Sequence, residues 1–450
     1  MLVNNKRLYR LNQAPLAAGP ILYWMSREQR VRDNWGLLHA REMAGQEHAL
    51  VVVFCLAPAF LGATLRQYDF MLSGLAQVEG DLAALGIPFV LLQGDPGQEI
   101  PRLAAELGAG GVVTDFDPLR VKQGWQGAAA HALPVSFIEV DGHNVVPARQ
   151  VSPKQEYAAR TIRPKIHRLI GEYLEEFPPL EPQVAPAPPC AATARAAHWG
   201  EVRAGLAVDG AVGPVSLVPG EDAAHDALDR FVADRLHVYA GQRNDPNADG
   251  TSRLSAYFHF GQLAPQRAAL AAAASGRGEG QAAYLEELVV RRELADNFCL
   301  HNPQYDSLAG APAWALKTLG EHRADPRAHC YTRETFEQAR TGSRLWNAAQ
   351  NELRQTGFMH GYMRMFWAKK ILEWSATPEE AHATALALND RYQLDGRDPN
   401  GYVGILWSLA GLHDRPWQTR PVFGSVRFMN ENGCRRKFDV DKYIERWGGS

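Results

Sequence analysis

Arg364 lies among tryptophans, in the stretch SRLWNAAQNELRQTGFMHGYMRMFWAKKILEWS (343–375). At about 100° per residue, Lys369, Lys370 and Glu373 gather on one side of a helix, as a solvated face. Trp367, Ile371 and Trp374 fall on the other side, with Arg364 in their midst. A guanidinium on a core-facing side needs a carboxylate or an anionic ligand to meet it. Asp395, in the turn-rich run LNDRYQLDGRDPNGYVGILWSLAGLHD (388–414), is the candidate partner, and the same run supplies Asn389 and Trp407. Trp367 and Trp374 are two helical turns apart, ~10.5 Å along the axis, and Trp346 lies upstream across a glycine-broken connection. Tryptophan is ordinarily core filler. Three around one inward arginine also suit a relay of oxidisable indoles, so the chemistry to look for is electron transfer beside a held anion.

Three further constellations carry chemistry. Asp249-Gly250-Thr251-Ser252-Arg253-Leu254-Ser255 sets clustered hydroxyls and amides ahead of the aromatic run AYFHFG. That suits a diphosphate, and a plain serine cap is the competing reading. Arg291, Arg292 and Glu293 interrupt an otherwise apolar helix, either as ordinary surface pairs or as a buried carboxylate facing a ligand. The tail from Arg415 to Ser450 holds eight Lys/Arg against four acids, interleaved with Trp417, Phe423 and Phe428. Basic residues among aromatics suit an opened nucleic acid strand, although a charge run is more often a solvated face.

The elements that position these groups are set by the chain as a whole. Its 450 residues suggest two or three domains. With 46% hydrophobic and 22% charged residues the composition is that of an ordinary soluble globular protein. A net charge of −3 means that any nucleic-acid contact comes from a local patch. The five cysteines are scattered without a C-x-x-C, which argues against a zinc site or a disulfide framework and fits a reducing cytosol. No signal-like segment opens the chain and no apolar run is long enough to span a bilayer, so a soluble cytoplasmic protein is expected.

From residue 20 to about 140, ILYWM (21–25), ALVVVFCL (49–56), IPFVLLQ (87–93), GVVTDF (111–116) and PVSFIEV (134–140) alternate with helical spacing. Apolar strands separated by helices predict a doubly wound parallel sheet covered on both faces. No G-x-G-x-x-G follows the first strand, so a dinucleotide fingerprint is absent there. Six prolines between Pro178 and Pro189 predict an extended, semi-rigid linker. Beyond about residue 218 helical periodicity dominates. The expected organisation is an α/β domain over 1–177, a linker over 178–217 and an all-α domain over 218–450.

Two long stretches identify a family resemblance. YLEELVVRRELADNF and GLHDRPWQTRPVFGSVRFMN are similar to the signatures of the class II cyclobutane pyrimidine dimer photolyases, within the photolyase/cryptochrome superfamily. RQYDFMLSGL (66–75) and SPKQEYAART carry the likeness into the first domain. Tyr284 stands where Phe is usual, Thr419 where Glu is usual and Ser425 where Lys is usual. The resemblance implies an antenna-type α/β domain joined to a helical FAD-binding domain, with the flavin active as FADH⁻. It implies that Tyr239 and Thr251, Ser252, Arg253, Leu254 and Ser255 contact FAD, that Arg364 and Asp395 pair beside the isoalloxazine, and that Asn389 faces its N5. Trp367, Trp346 and Trp374 match the electron-transfer tryptophans. Glu293, Met365 and Trp407 would line the pocket for the flipped dimer. Arg243, Asn244, Arg415, Trp417 and Arg427 would hold UV-damaged DNA.

The implied activity is a deoxyribodipyrimidine photo-lyase, a monomer that splits the dimer with an electron lent by excited FADH⁻ and then returned. An antenna chromophore of unspecified identity is expected in the first domain. A cryptochrome-like light sensor, which would keep flavin and tryptophans without a dimer pocket, is the nearest alternative. A non-catalytic DNA-binding protein is a more distant one and would need neither the inward arginine nor the anion site.

Overall fold

The computed structural model describes residues 2–188, 198–276 and 278–448. Strands β1 (Leu8–Arg10), β2 (Ile21–Met25), β3 (Leu50–Leu56), β4 (Phe89–Gln93), β5 (Gly111–Asp115) and β6 (Ser136–Val140) form one sheet in the order β1-β6-β5-β2-β3-β4. All neighbours are parallel except β1, which runs antiparallel on the edge beside β6. The apolar runs are strands because both faces are covered. Leu22, Trp24, Val51 and Val53 enter one layer of core, and Tyr23, Val52, Phe54 and Val113 the other. Helices α1 (Trp35–Ala44), α2 (Leu65–Ala84), α3 (Pro96–Leu107) and α4 (Arg120–Ala132) connect the strands. The chain order reverses at β2, which lies between β3 and β5, and such a point opens a crevice beyond the strand ends.

The proline-rich stretch is strapped to this layer rather than held free. Gln183 takes a hydrogen bond from the Leu50 amide (2.6 Å) and donates its own amide to Leu85 O (2.8 Å). A short helix, α5 (Trp199–Ala204), then anchors through Trp199 Nε1 to Glu79 (2.7 Å). Residues 189–197 of the expected linker lie outside the described residues.

After residue 218 no strand occurs among the described residues. The helices that build the site are α6 (Arg292–His301), α7 (Arg344–Thr356), α8 (Gly361–Glu373), α9 (Pro378–Tyr392) and α10 (Pro399–Ala410). Helix α8 runs through the largest core cluster, packed by α7, α9 and α10.

The two layers share a core and a buried polar seam. Phe70, Val145 and Val146 from the first part pack with Leu228, Tyr257 and Leu288 from the second. Arg27 grips Asp296 with two bonds of 2.8 and 3.0 Å, both side chains being buried. Removing one partner of such a pair would strand a charge in the interior, so the seam fixes how the halves meet. No helix among the described residues is long and apolar enough to cross a membrane.

Candidate functional site

Helix α8 departs from its expected faces. Lys369, placed by periodicity on a solvated side, is fully buried, whereas 31% of the Arg364 side chain stays exposed. The helix is enclosed on several sides, so charge pattern alone does not reveal which side meets water. Arg364 does reach Asp395, at 3.6 Å, and its Nε donates to Met359 O (3.0 Å). Asn389 is buried one turn before the end of α9, donating to Asp390 Oδ1 (2.9 Å).

One turn beyond Arg364 begins a file of indoles. Trp367 and Trp346 are stacked with centroids 6.2 Å apart and planes 7° apart. Trp346 meets Trp374 at 6.3 Å and 67°. Trp346 Nε1 donates to Trp367 O (3.0 Å) and Trp367 Nε1 to Gln350 (2.9 Å), so both rings are pinned. The order is therefore Trp367, Trp346, Trp374. Tyr331, half-buried, extends it with an edge contact to Trp374 at 5.6 Å, a neighbour that sequence spacing could not single out.

A positive neighbourhood lies at the N-terminal end of α8. His360 accepts the Tyr362 amide on Nδ1 (3.2 Å). Burial, then the Arg364 and Arg253 guanidinia, push its imidazole down to about 4. Arg253 has a left-handed backbone (φ 55°) inside the Thr251–Ser255 turn, pairs with Asp249 and packs over Phe358. Thr251, Ser252 and Ser255 are half-buried, while the Leu254 side chain belongs to the core. Tyr239 packs edge-on against Tyr284 at 5.4 Å and lies under Arg243. Arginines, hydroxyls and a kinked turn fit a diphosphate, and the aromatic residues beside them fit a planar group.

The signature helix corrects one expectation. Glu293 on α6 does not face this opening. Its Oε1 accepts the amides of Val145 (2.7 Å) and Val146 (3.3 Å) in the seam between the two layers. Burial pushes its carboxyl up to about 8. The stretch before α6, Glu286–Arg291, is a π-helix. That wider turn adds a residue per loop of backbone and rotates the side chains that follow it, so α-helical spacing misplaces Glu293 relative to Glu287. Glu287, in the first turn of that π-helix, is half-exposed and pairs with Arg243. It is the carboxylate on the open side.

The basic tail folds into a projecting turn after α10. Trp417 N donates to Ser425 O (2.8 Å) and Arg420 N to Gly424 O (2.9 Å). Arg415, Trp417 and Arg427 are exposed, and Trp417 is 40% accessible with Arg427 at 4.8 Å and Arg415 at 5.4 Å from its ring. Phe423, by contrast, is buried against Phe428. Thr419 and Ser425 face each other across the turn, hydroxyl to hydroxyl at 3.1 Å. Met365 and Trp407 are half-buried on α8 and α10, and Asn244 is exposed next to Arg243.

A separate cavity lies beyond the ends of β2 and β3, between the two layers, with about 820 Å³ of empty space partly open to solvent. Phe60, Tyr68, Lys122, Trp125, His259 and Arg397 line it. Arg397 is 2% exposed, and among the described residues its Nη2 is buried without a hydrogen-bond partner. Among the described residues no group of His, Cys, Asp and Glu could hold a metal ion.

The family model described as DNA photolyase matches residues 21–183. The deoxyribodipyrimidine photo-lyase of Potorous tridactylus is 49% identical over 430 residues, covering 94% of this chain and 80% of that relative. The Arabidopsis thaliana protein of the same name is 47% identical over 95% of this chain and 88% of its own length. A Synechocystis cryptochrome shares the fold, with a TM-score of 0.74 over 96% of this chain and 89% of that one at 17% identity.

Proposed function

Because the chain belongs to the DNA photolyase family, we propose that it is a deoxyribodipyrimidine photo-lyase of class II, which uses light to split cyclobutane pyrimidine dimers in DNA. The observation that carries the reading is the pinned file Trp367–Trp346–Trp374 on the helix that presents Arg364 to Asp395. Core packing alone does not need three indoles in contact next to a half-exposed ion pair.

FAD, when bound, supplies the light-excited electron. The residues divide the remaining work. Thr251, Ser252, Arg253 and Ser255, with the Leu254 amide, would hold the diphosphate, and Tyr239 would pack beside it. Arg364 and Asp395 would sit against the ring system, where the guanidinium offsets negative charge, and Asn389 would present its amide. Met365 and Trp407 would receive the extruded dimer, which a damaged and poorly stacked pair yields at lower cost than intact bases. Glu287, oriented by Arg243, takes the pocket role that the family resemblance implied for Glu293. Arg415, Trp417 and Arg427, with Asn244, would hold the strand and fill the gap left by extrusion. The cavity beyond β2 and β3 would seat a planar antenna chromophore, with Arg397 and Lys122 bringing positive charge to its lining.

The test is direct. The photoreduced protein is expected to restore thymine dimers in DNA under blue light and to leave (6-4) photoproducts untouched. Conversion of (6-4) lesions with dimers unchanged would overturn the assignment.

A further inference from the structure

Lys369 is an ionisable group of α8 with no part in the chemistry proposed so far. It is fully buried, and its Nζ donates to Ser408 O at 2.7 Å. The same ammonium lies 5.5 Å from the centroid of the Trp407 ring. Arg427 approaches that ring from the tail at 5.8 Å. Asp414, which accepts Trp417 Nε1 at 3.2 Å, acts on Lys369 through its charge. A lone ammonium in a dry interior is costly unless something there needs the charge.

We propose that Lys369 is a positioning residue of the lesion pocket: tethered to Ser408, it holds a positive charge behind Trp407 that favours the anionic, electron-accepting dimer. The proposal rests on the reading of Trp407 as a wall of that pocket. Its physical content is electrostatic. A cation against an indole is attracted to the ring face, and in a water-poor site it also stabilises negative charge on a group packed against that indole. The electron that the photolyase reaction lends to the dimer, and takes back after the ring opens, would be placed there at lower cost.

Burial, aided by Arg427 and opposed by Asp414, holds the Lys369 amine down to about 7. In the free protein the group is therefore divided between ammonium and amine near neutrality. An incoming lesion brings phosphate charge and carbonyl oxygens, both of which favour the ammonium. Binding should then draw a proton onto Lys369.

The experiment is dark binding of an oligonucleotide carrying one thymine dimer, compared with its undamaged counterpart, between pH 6 and 8.5. The parent's preference for the dimer should weaken above pH about 7, by at most about tenfold per pH unit. Lys369→Met removes the charge at similar volume, and Lys369→Gln also keeps a donor for Ser408. Both should show a weaker preference that no longer changes with pH, while flavin content is retained. A parental slope in either variant overturns the proposal, and so does loss of folded protein in both. Trp407→Ala separates the pocket assignment from the role of Lys369. If it leaves the dimer preference intact, the pocket assignment fails and the proposal falls with it. If it abolishes the preference while Lys369→Met behaves as the parent, only the role of Lys369 is wrong.

Discussion

Glu293 and Glu287 are six residues apart in one signature, yet they face different worlds. Glu293 caps the amides of Val145 and Val146 in the dry seam, and Glu287 meets Arg243 at the opening. Their substitutions should therefore part ways. Glu293→Ala leaves two buried amides without an acceptor, at about 1–3 kcal/mol each, so it should lower thermal stability and flavin retention together. Glu287→Ala should keep the fold and its flavin and lower the quantum yield of repair. Equal flavin content in Glu293→Ala and the parent would return Glu293 to the pocket. The pH dependence has a definite sign. The Glu293 carboxyl is protonated in the folded protein up to about 8, while the unfolded group ionises near 4.3. Its contribution therefore destabilises progressively as pH rises through that window and is constant below it. Thermal melts from pH 5 to 9 should fall less steeply in Glu293→Gln than in the parent.

Elements decide what individual residues can do, and here the helices were harder to read than the strands. The five parallel strands lie within one or two residues of their apolar runs, because a strand buried on both faces leaves an uninterrupted signal. The edge strand β1 escaped because three residues with polar neighbours carry no periodicity. Helix α8 misled because it is enclosed: Lys369 is inside and Arg364 half outside. The π-turn at Glu286–Arg291 hid which carboxylate faces the opening. The tryptophan spacing was legible, but the order through Trp346 is a tertiary fact. That order makes a prediction. Trp367→Phe should abolish photoreduction of the oxidised flavin, and Trp374→Phe should slow it by letting charge recombine. Photoreduction at the parental rate in Trp367→Phe would reduce the file to packing. The Arg415–Arg427 turn offers a second. Thr419 and Ser425, where the family resemblance leads one to expect Glu and Lys, touch each other, so a Glu and a Lys placed there together would lie within reach of an ion pair. Thr419→Glu alone should weaken DNA binding by adding an unpaired acid, and Ser425→Lys should restore it. Additive effects in that double-mutant cycle would mean that the two positions act separately.

At the scale of the molecule, the proposed function asks an acidic chain to meet DNA, and one basic edge suits that task. The net charge is −3, while Arg415, Arg420 and Arg427 are exposed on the same projecting turn. Removing one arginine that neutralises a phosphate should lower the salt slope of binding by about one unit, for damaged and undamaged DNA alike. Arg415→Ala and Arg427→Ala should each do so, and unchanged slopes would move these residues off the interface. The locked seam also holds in place the cavity that the two layers line together, as the proposed antenna site would need. On the proposed reading this scaffold lends an electron to a dimer under light, with the tryptophan file serving only to recharge the flavin. The most direct measurement is dimer loss in UV-irradiated DNA under blue light by chemically pre-reduced Trp367→Phe protein, beside a dark control. Repair should proceed at the parental yield in the light and be absent in the dark. Intact dimers after illumination, with flavin bound and reduced, would contradict the claim.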